Sequence, residues 1–321
     1  MRSFDYSTLK EKTWDHEIIS LIAQIHEYKG RQEVYLKQKP EELNKLVEIA
    51  KRRSTEASNA IEGIRTTNAR LKELCEEKTT PKNRDEEEIL GYRDVLNTIH
   101  ENYEYIPIRT NYILQLHRDL YKYTEKSIGG HFKISQNVIA AIDRNGKEYI
   151  LFTPLAPYET APAMDAICES YNKMIENDEL DAILLIPIFI HDFLCIHPFS
   201  DGNGRMSRLL TALLLYRSGY VVGKYISIES KIANNKDLYY KALEDCQSGW
   251  YENDEDVTPF VKYMLRIILA AYRDFEERVE LVSEKLPAKE MVRRAIYSKM
   301  GKLSKSDISE LCPSIGVKSV E

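Results

Sequence analysis

From about residue 14 to 104 apolar residues recur at helical spacing, as in Ile18, Leu21, Ile22 and Ile25, with charge between them and Gly and Pro sparse outside segment ends. This pattern predicts a helical N-terminal region, and residues 110–123 continue it. The texture then changes. Gly129-Gly130, the run Val138-Ile139-Ala140-Ala141-Ile142, the turn Asp143-Arg144-Asn145-Gly146 and Tyr149-Ile150-Leu151-Phe152 read as a β-hairpin. After Pro154 and Pro157 the helical period resumes over 161–175, 182–196, 205–216, 234–246 and 258–279. Past Pro287, short helical segments at 290–300 and 306–311 and then Pro313-Ser314-Ile315-Gly316 are spaced like the first part of a helix-turn-helix or winged helix. The sequence stops where a recognition helix would begin, so DNA reading is not expected. The predicted fold class is mainly α with one hairpin.

Composition narrows the setting. The 321 residues carry 45 Lys+Arg against 51 Asp+Glu, a net charge of -6 that gives no global reason to expect nucleic-acid or anionic-membrane binding. Five scattered cysteines without a C-x-x-C pair suggest neither a disulfide framework nor a zinc site. The N-terminus lacks an apolar signal core, and the most apolar stretch, 183–196, is interrupted by Pro187, His191 and Asp192. A soluble, cytoplasmic chain is expected. No repeat of 20 to 50 residues stands out.

The chemistry gathers in Ile196-His197-Pro198-Phe199-Ser200-Asp201-Gly202-Asn203-Gly204-Arg205-Met206-Ser207-Arg208, between two apolar helical runs. Asp201-Gly202-Asn203-Gly204 tolerates left-handed backbone immediately before a helix, so successive N–H groups can converge with the positive helix end on an anion. Arg205 and Arg208 lie three residues apart at the helix start, where dipole logic favours acids, and two cations beside an anion hole suggest a polyphosphate. Asp201 adds a hard oxygen ligand suited to Mg²⁺ shared with phosphate oxygens. His197 can accept a proton from an attacking hydroxyl at neutral pH. Singly, each feature has a plainer structural reading: a hydrogen-bonded histidine, a turn, a solvated basic face. A P-loop is excluded because no Lys-Ser/Thr follows the glycines, and a dinucleotide fingerprint because the third Gly and the preceding strand are missing.

The full segment His197-Pro198-Phe199-x-Asp201-Gly202-Asn203-Gly204-Arg205-x-x-Arg208 resembles the signature of the Fic family, and the resemblance extends over about residues 50–280. It implies a Fic-type helical bundle whose hairpin, within 130–157, is a target-docking flap. It implies His197 as base, Asp201 as Mg²⁺ ligand, Gly202, Asn203 and Gly204 as the anion hole, Arg205 and Arg208 as phosphate partners, and Phe199 as a core anchor. Tyr240 would pack on the adenine, and Gln247 stands where the family commonly has Asn. Glycine at 204 resembles the branch that transfers AMP rather than phosphate.

Upstream, Ser58-Asn59-Ala60-Ile61-Glu62-Gly63 resembles the family's inhibitory motif, on a helix expected over about 54–63. The resemblance then implies that Glu62 pairs with Arg208, bidentately by chemistry, and keeps it from the γ-phosphate. It also leaves open that Glu62 assists removal of AMP. The expected activity is transfer of AMP from Mg-ATP to a Ser, Thr or Tyr hydroxyl of a protein, self-modification included, with a homodimer compatible. Transfer of UMP or phosphocholine, and a regulator with a vestigial site, stay open as alternatives. The expected organisation is an N-terminal helical region at 1–105, a catalytic domain at 106–283 and a partial winged-helix-like segment at 287–321.

Overall fold

The structure is a computed structural model that describes residues 2–38, 40–125, 128–142, 146 and 148–283, with isolated positions beyond. The expected C-terminal segment, 287–321, and most of the hairpin turn lie outside the described residues. The helices are α1 (His16–Gln38), α2 (Pro40–Ile61), α3 (Asn68–Cys75), α4 (Arg84–Asn102), α5 (Thr110–Leu120), α6 (Pro157–Glu176), α7 (Ala182–Ile196), α8 (Asn203–Arg217), α9 (Ile228–Asn234), α10 (Lys236–Asp245) and α11 (Thr258–Ser283). Strands β1 (Ile139–Ile142) and β2 (Glu148–Phe152) pair antiparallel, with Ala140 opposite Ile150 and an irregularity between Ile139 and Ala140.

The mainly α fold class and the hairpin are as the periodicity predicts. The expected helix 234–246 is present as α10, from Lys236 to Asp245, and the short helix α9 before it was not expected. Ser227 caps α9 by accepting the Ser230 N–H, and Asn235, at φ -129 and ψ 37, breaks the path before α10. The expected 110–123 helix closes at Leu120, where the Tyr121 and Lys122 N–H groups turn back to Arg118 and Asp119.

The centre of the bundle is the α7–α8 pair. In α7 nearly every side chain is buried, and from Asn203 to Tyr216 only Gly204 in α8 is not fully covered, as expected of helices apolar around most of their circumference. Around them α1 packs on α11, α2 on α4 and α9, and α4 on both α5 and α8. One continuous apolar core takes in side chains from Tyr6 to Val279, so the N-terminal helices and the helices of the loop share it. Burial of this kind contributes roughly 25 cal/mol per Å² of apolar surface removed from water.

An N-terminal strap fixes α7 from outside. Asp192, fully buried on α7, accepts hydrogen bonds from Arg2 at 2.9 Å, the Tyr6 hydroxyl at 2.9 Å and the Trp250 indole at 2.7 Å. A buried carboxylate is tolerable only with its oxygens satisfied in this way. No described helix is long and apolar enough to cross a membrane.

Candidate active site

The α7–α8 junction is built so that its side chains cannot drift. His197 ends α7 in the left-handed region, at φ 50 and ψ 61, which swings the chain out of the helix. Phe199, fully buried, stacks on His117 with ring centroids 3.7 Å apart and planes 5° from parallel. Gly130 N–H donates to His117 Nδ1 at 3.1 Å, so the opposite nitrogen, Nε2, carries the proton and donates to the Asp201 carbonyl at 3.0 Å. The Lys133 amine donates to the Ile196 carbonyl at 3.0 Å, and the Asn137 amide donates to the Phe199 carbonyl at 3.1 Å and the His197 carbonyl at 3.4 Å. The segment just before the hairpin thus holds the loop by its backbone.

Asn203 is also part of that scaffold. Its side chain accepts from Phe199 N–H at 2.9 Å and donates to the Phe199 carbonyl at 2.7 Å. Of the residue assigned to an anion hole, only the backbone N–H is therefore available, and the side chain clamps the turn. Gly202 caps α8 at φ 84, and a Cβ there would meet the Tyr121 hydroxyl at 2.9 Å. The first intrahelical bond of α8 is Met206 N–H to the Gly202 carbonyl, so the N–H groups of the first turn point outward without helical partners.

A cavity of about 540 Å³ opens over this helix end, a size suited to a nucleotide. His197, Asp201, Gly202, Asn203, Gly204, Arg205 and Arg208 line it, together with Glu62 and Gly63, and Tyr240 and Gln247 line it from α10 and the turn that follows. The predicted residues are thereby gathered around one space, with Ser58 just behind Arg208. Sequence reasoning missed Tyr121, His117, Lys133, Asn137, Glu88 and Arg84. Their only sequence signal is polarity within otherwise apolar or turn-rich segments, which does not reveal what they reach.

His197 Nδ1 donates to the Leu194 carbonyl at 3.2 Å, because a carbonyl can only accept. Burial lowers its pKa to about 4. The imidazole is therefore neutral at pH 7 with its lone pair on Nε2, the state a proton acceptor needs.

The two arginines of α8 differ in their partners. Arg205 is buried, with Nη2 2.7 Å from Glu88 and 2.7 Å from the Tyr121 hydroxyl. Its Nε and Nη1 have no hydrogen-bond partner. Two orphaned buried donors of a cation are costly unless an acceptor arrives, and a phosphate oxygen is such an acceptor. Arg208 donates Nε to Ser58 Oγ at 2.8 Å and Nη2 to both the Ser58 carbonyl at 2.9 Å and Glu62 Oε1 at 2.7 Å. The Glu62 contact runs through one oxygen and one nitrogen, not the bidentate fork expected from sequence, and the same Nη2 also serves the Ser58 carbonyl. Glu62 stands one residue past the end of α2, and Gly63, at φ 83, follows it. A Cβ on Gly204 would lie 2.3 Å from Glu62 Oε1, so the carboxylate rests directly against the start of α8.

The chemistry also fits Mg²⁺. Asp201 lines the cavity beside the helix end, and no group of three or more His, Cys, Asp or Glu that could hold a metal occurs among the described residues. One carboxylate plus substrate phosphates is a usual way to hold Mg²⁺, whereas an all-protein cage is not.

The site is a pinned turn at a helix N-terminus in a helical protein, with a neutral histidine and two arginines around one cavity, an arrangement whose chemistry suits a phosphate group. Residues 107–215 match the family model described as Fic/DOC family. The match spans the loop but not Ser58–Gly63 or α10. The chain is 27% identical over 148 residues to a Fido domain-containing protein of Dictyostelium discoideum, covering 46% of this chain and 96% of that protein. It is 29% identical over 211 residues to the protein adenylyltransferase Fic of Drosophila yakuba, covering 64% of this chain but only 38% of that protein's length. Among solved structures, a Fic domain containing signaling protein from Bacteroides thetaiotaomicron VPI-5482 superposes with a TM-score of 0.66 at 25% identity, covering 82% of this chain and 97% of that one.

Proposed function

We propose that this protein is a protein adenylyltransferase, transferring AMP from Mg-ATP to a hydroxyl side chain of a protein, and that Glu62 brakes it in cis. The observation that carries this reading is the pocket itself: a neutral histidine with its lone pair fixed, facing an anion-binding helix end whose arginine has unfilled donors. Named relatives support the reaction class.

In the mechanism, a Ser, Thr or Tyr hydroxyl oxygen of the target attacks the α-phosphorus and forms the new P–O bond. The hydroxyl proton passes to His197 Nε2, and the bond to the bridging oxygen of the β-phosphate breaks, releasing diphosphate with the electron pair. First-turn N–H groups of α8 stabilise charge developing on the phosphate oxygens. Arg205 and Arg208 hold the outer phosphates. Asp201 would hold Mg²⁺, which supplies charge neutralisation on the diphosphate when bound. Tyr240 and Gln247 flank the base, and the hairpin presents the target. His197 contributes to the transition state more than to nucleotide binding.

The brake acts by competition. Glu62 occupies the guanidinium edge that a terminal phosphate would take, and its carboxylate fills space in front of Gly204. Bound ATP must displace it, so the resting enzyme is slow. In this reading residues 1–105 form the regulatory part and 106–283 the catalytic part.

The test is transfer of label from α-labelled ATP with Mg²⁺, self-modification serving as the readout, in wild type, Glu62→Gly and His197→Ala. More label on Glu62→Gly than on wild type, and none on His197→Ala, is the expected result. Equal labelling of wild type and Glu62→Gly would remove the brake. Incorporation from labelled UTP in preference to ATP would change the donor.

A further inference from the structure

We infer that Arg84, carried by α4 and outside the loop signature, is a third arginine of the nucleotide site and binds the diphosphate portion of the donor. This deepens the proposed function and rests on its polyphosphate reading of the cavity.

Glu88 is buried to 3% exposure and divides its carboxylate between two arginines. Its Oε2 lies 2.7 Å from Arg205 Nη2, and its Oε1 accepts from Arg84 Nε at 2.8 Å. One buried acid therefore holds both guanidinium groups and places Arg84 on the Arg205 side of the cavity. Arg84 lines the same cavity as Asp201 and Gly202, and the Asp201 charge acts on it. Its side chain is 64% exposed, so the terminal nitrogens face solvent within reach of a ligand while Nε is held.

Helix stability does not account for a cation there. Arg84 is the first residue of α4, where the positive helix end favours acids, and Asp85, Glu86 and Glu87 occupy that turn. Asp85 is engaged by the Arg65 N–H and Glu86 by Arg70. The Arg84–Glu88 pair also runs in the less favourable order for an i,i+4 helix pair. A guanidinium held at one edge, beside orphaned donors of Arg205, suits the oxygens of a diphosphate.

The experiment measures dissociation constants for ATP, inorganic diphosphate and AMP, each with Mg²⁺, in the Glu62→Gly protein with and without Arg84→Ala or Arg84→Lys. The expected result for Arg84→Ala is ATP and diphosphate binding weakened roughly three- to tenfold with AMP unchanged, and Arg84→Lys in between. ATP affinity unaffected by Arg84→Ala, or AMP weakened as much as ATP, overturns the inference while leaving the proposed function standing. Failure of the Glu62→Gly parent itself to bind ATP overturns both.

Discussion

The two ends of the pocket are built on different principles. At the His197 end, the hydrogen bonds that hold the ring and the turn come from the family-matched region: Leu194 fixes the tautomer, and Lys133, Asn137 and His117 hold the turn. At the arginine end, the partners of Arg205 and Arg208 include Glu88 on α4 and Ser58 and Glu62 at the end of α2, all upstream of residues 107–215. The His197 ring is held from within the matched region. The α8 arginines are held by N-terminal helices, so under the proposed function their availability can change without disturbing His197.

Breaking the His197 end should have the largest effect. In a Glu62→Gly background, His197→Ala is expected to lower transfer by about 10²–10⁴-fold with ATP affinity unchanged, measured by initial rates and by nucleotide titration. A matching loss of ATP binding would show the histidine to be structural. Next, Lys133→Ala or Asn137→Ala frees the loop backbone and should lower kcat about tenfold or more while leaving the Kd for ATP within error. An effect on Kd alone would place these residues in binding.

The arginine end should respond in binding. Glu62→Gln keeps the shape but removes the charge, and ATP affinity is expected to rise roughly tenfold, read by calorimetry. Ser58→Ala withdraws one hydroxyl contact but leaves the Ser58 carbonyl in place, so a rise of only about twofold is expected.

Acid should sharpen the contrast through stability. Burial lowers His197, His117 and His191 to about 4 and His100 to about 3, from an ordinary value of 6.5. Between those values the unfolded chain binds protons that the folded chain refuses. Their stabilising contribution is therefore complete above pH 6.5 and is lost as pH falls towards 4, by about 1.4 kcal/mol per pH unit for each such histidine. The melting temperature should fall steadily from pH 6.5 to 5, and a flat profile would contradict the buried, neutral state of these rings.

The sequence by itself determined the loop. Residues 197–208 are contiguous, so the left-handed turn, the helix start with its unpaired N–H groups and the two arginines follow from local backbone rules and spacing. It also determined the mainly α class and the hairpin, because periodicity is a local property. Only the tertiary structure decided what those groups touch. Glu62 and Arg208 are 146 residues apart in sequence, and their contact is through a single carboxylate oxygen, beside the Ser58 contacts to the same guanidinium. The Asn203 side chain turned out to clamp Phe199, and Glu88, an unremarkable acid in an acidic helix start, turned out to hold Arg205. The physical reason is that a side chain's charge and shape are written locally, whereas its partner is chosen by how whole helices pack.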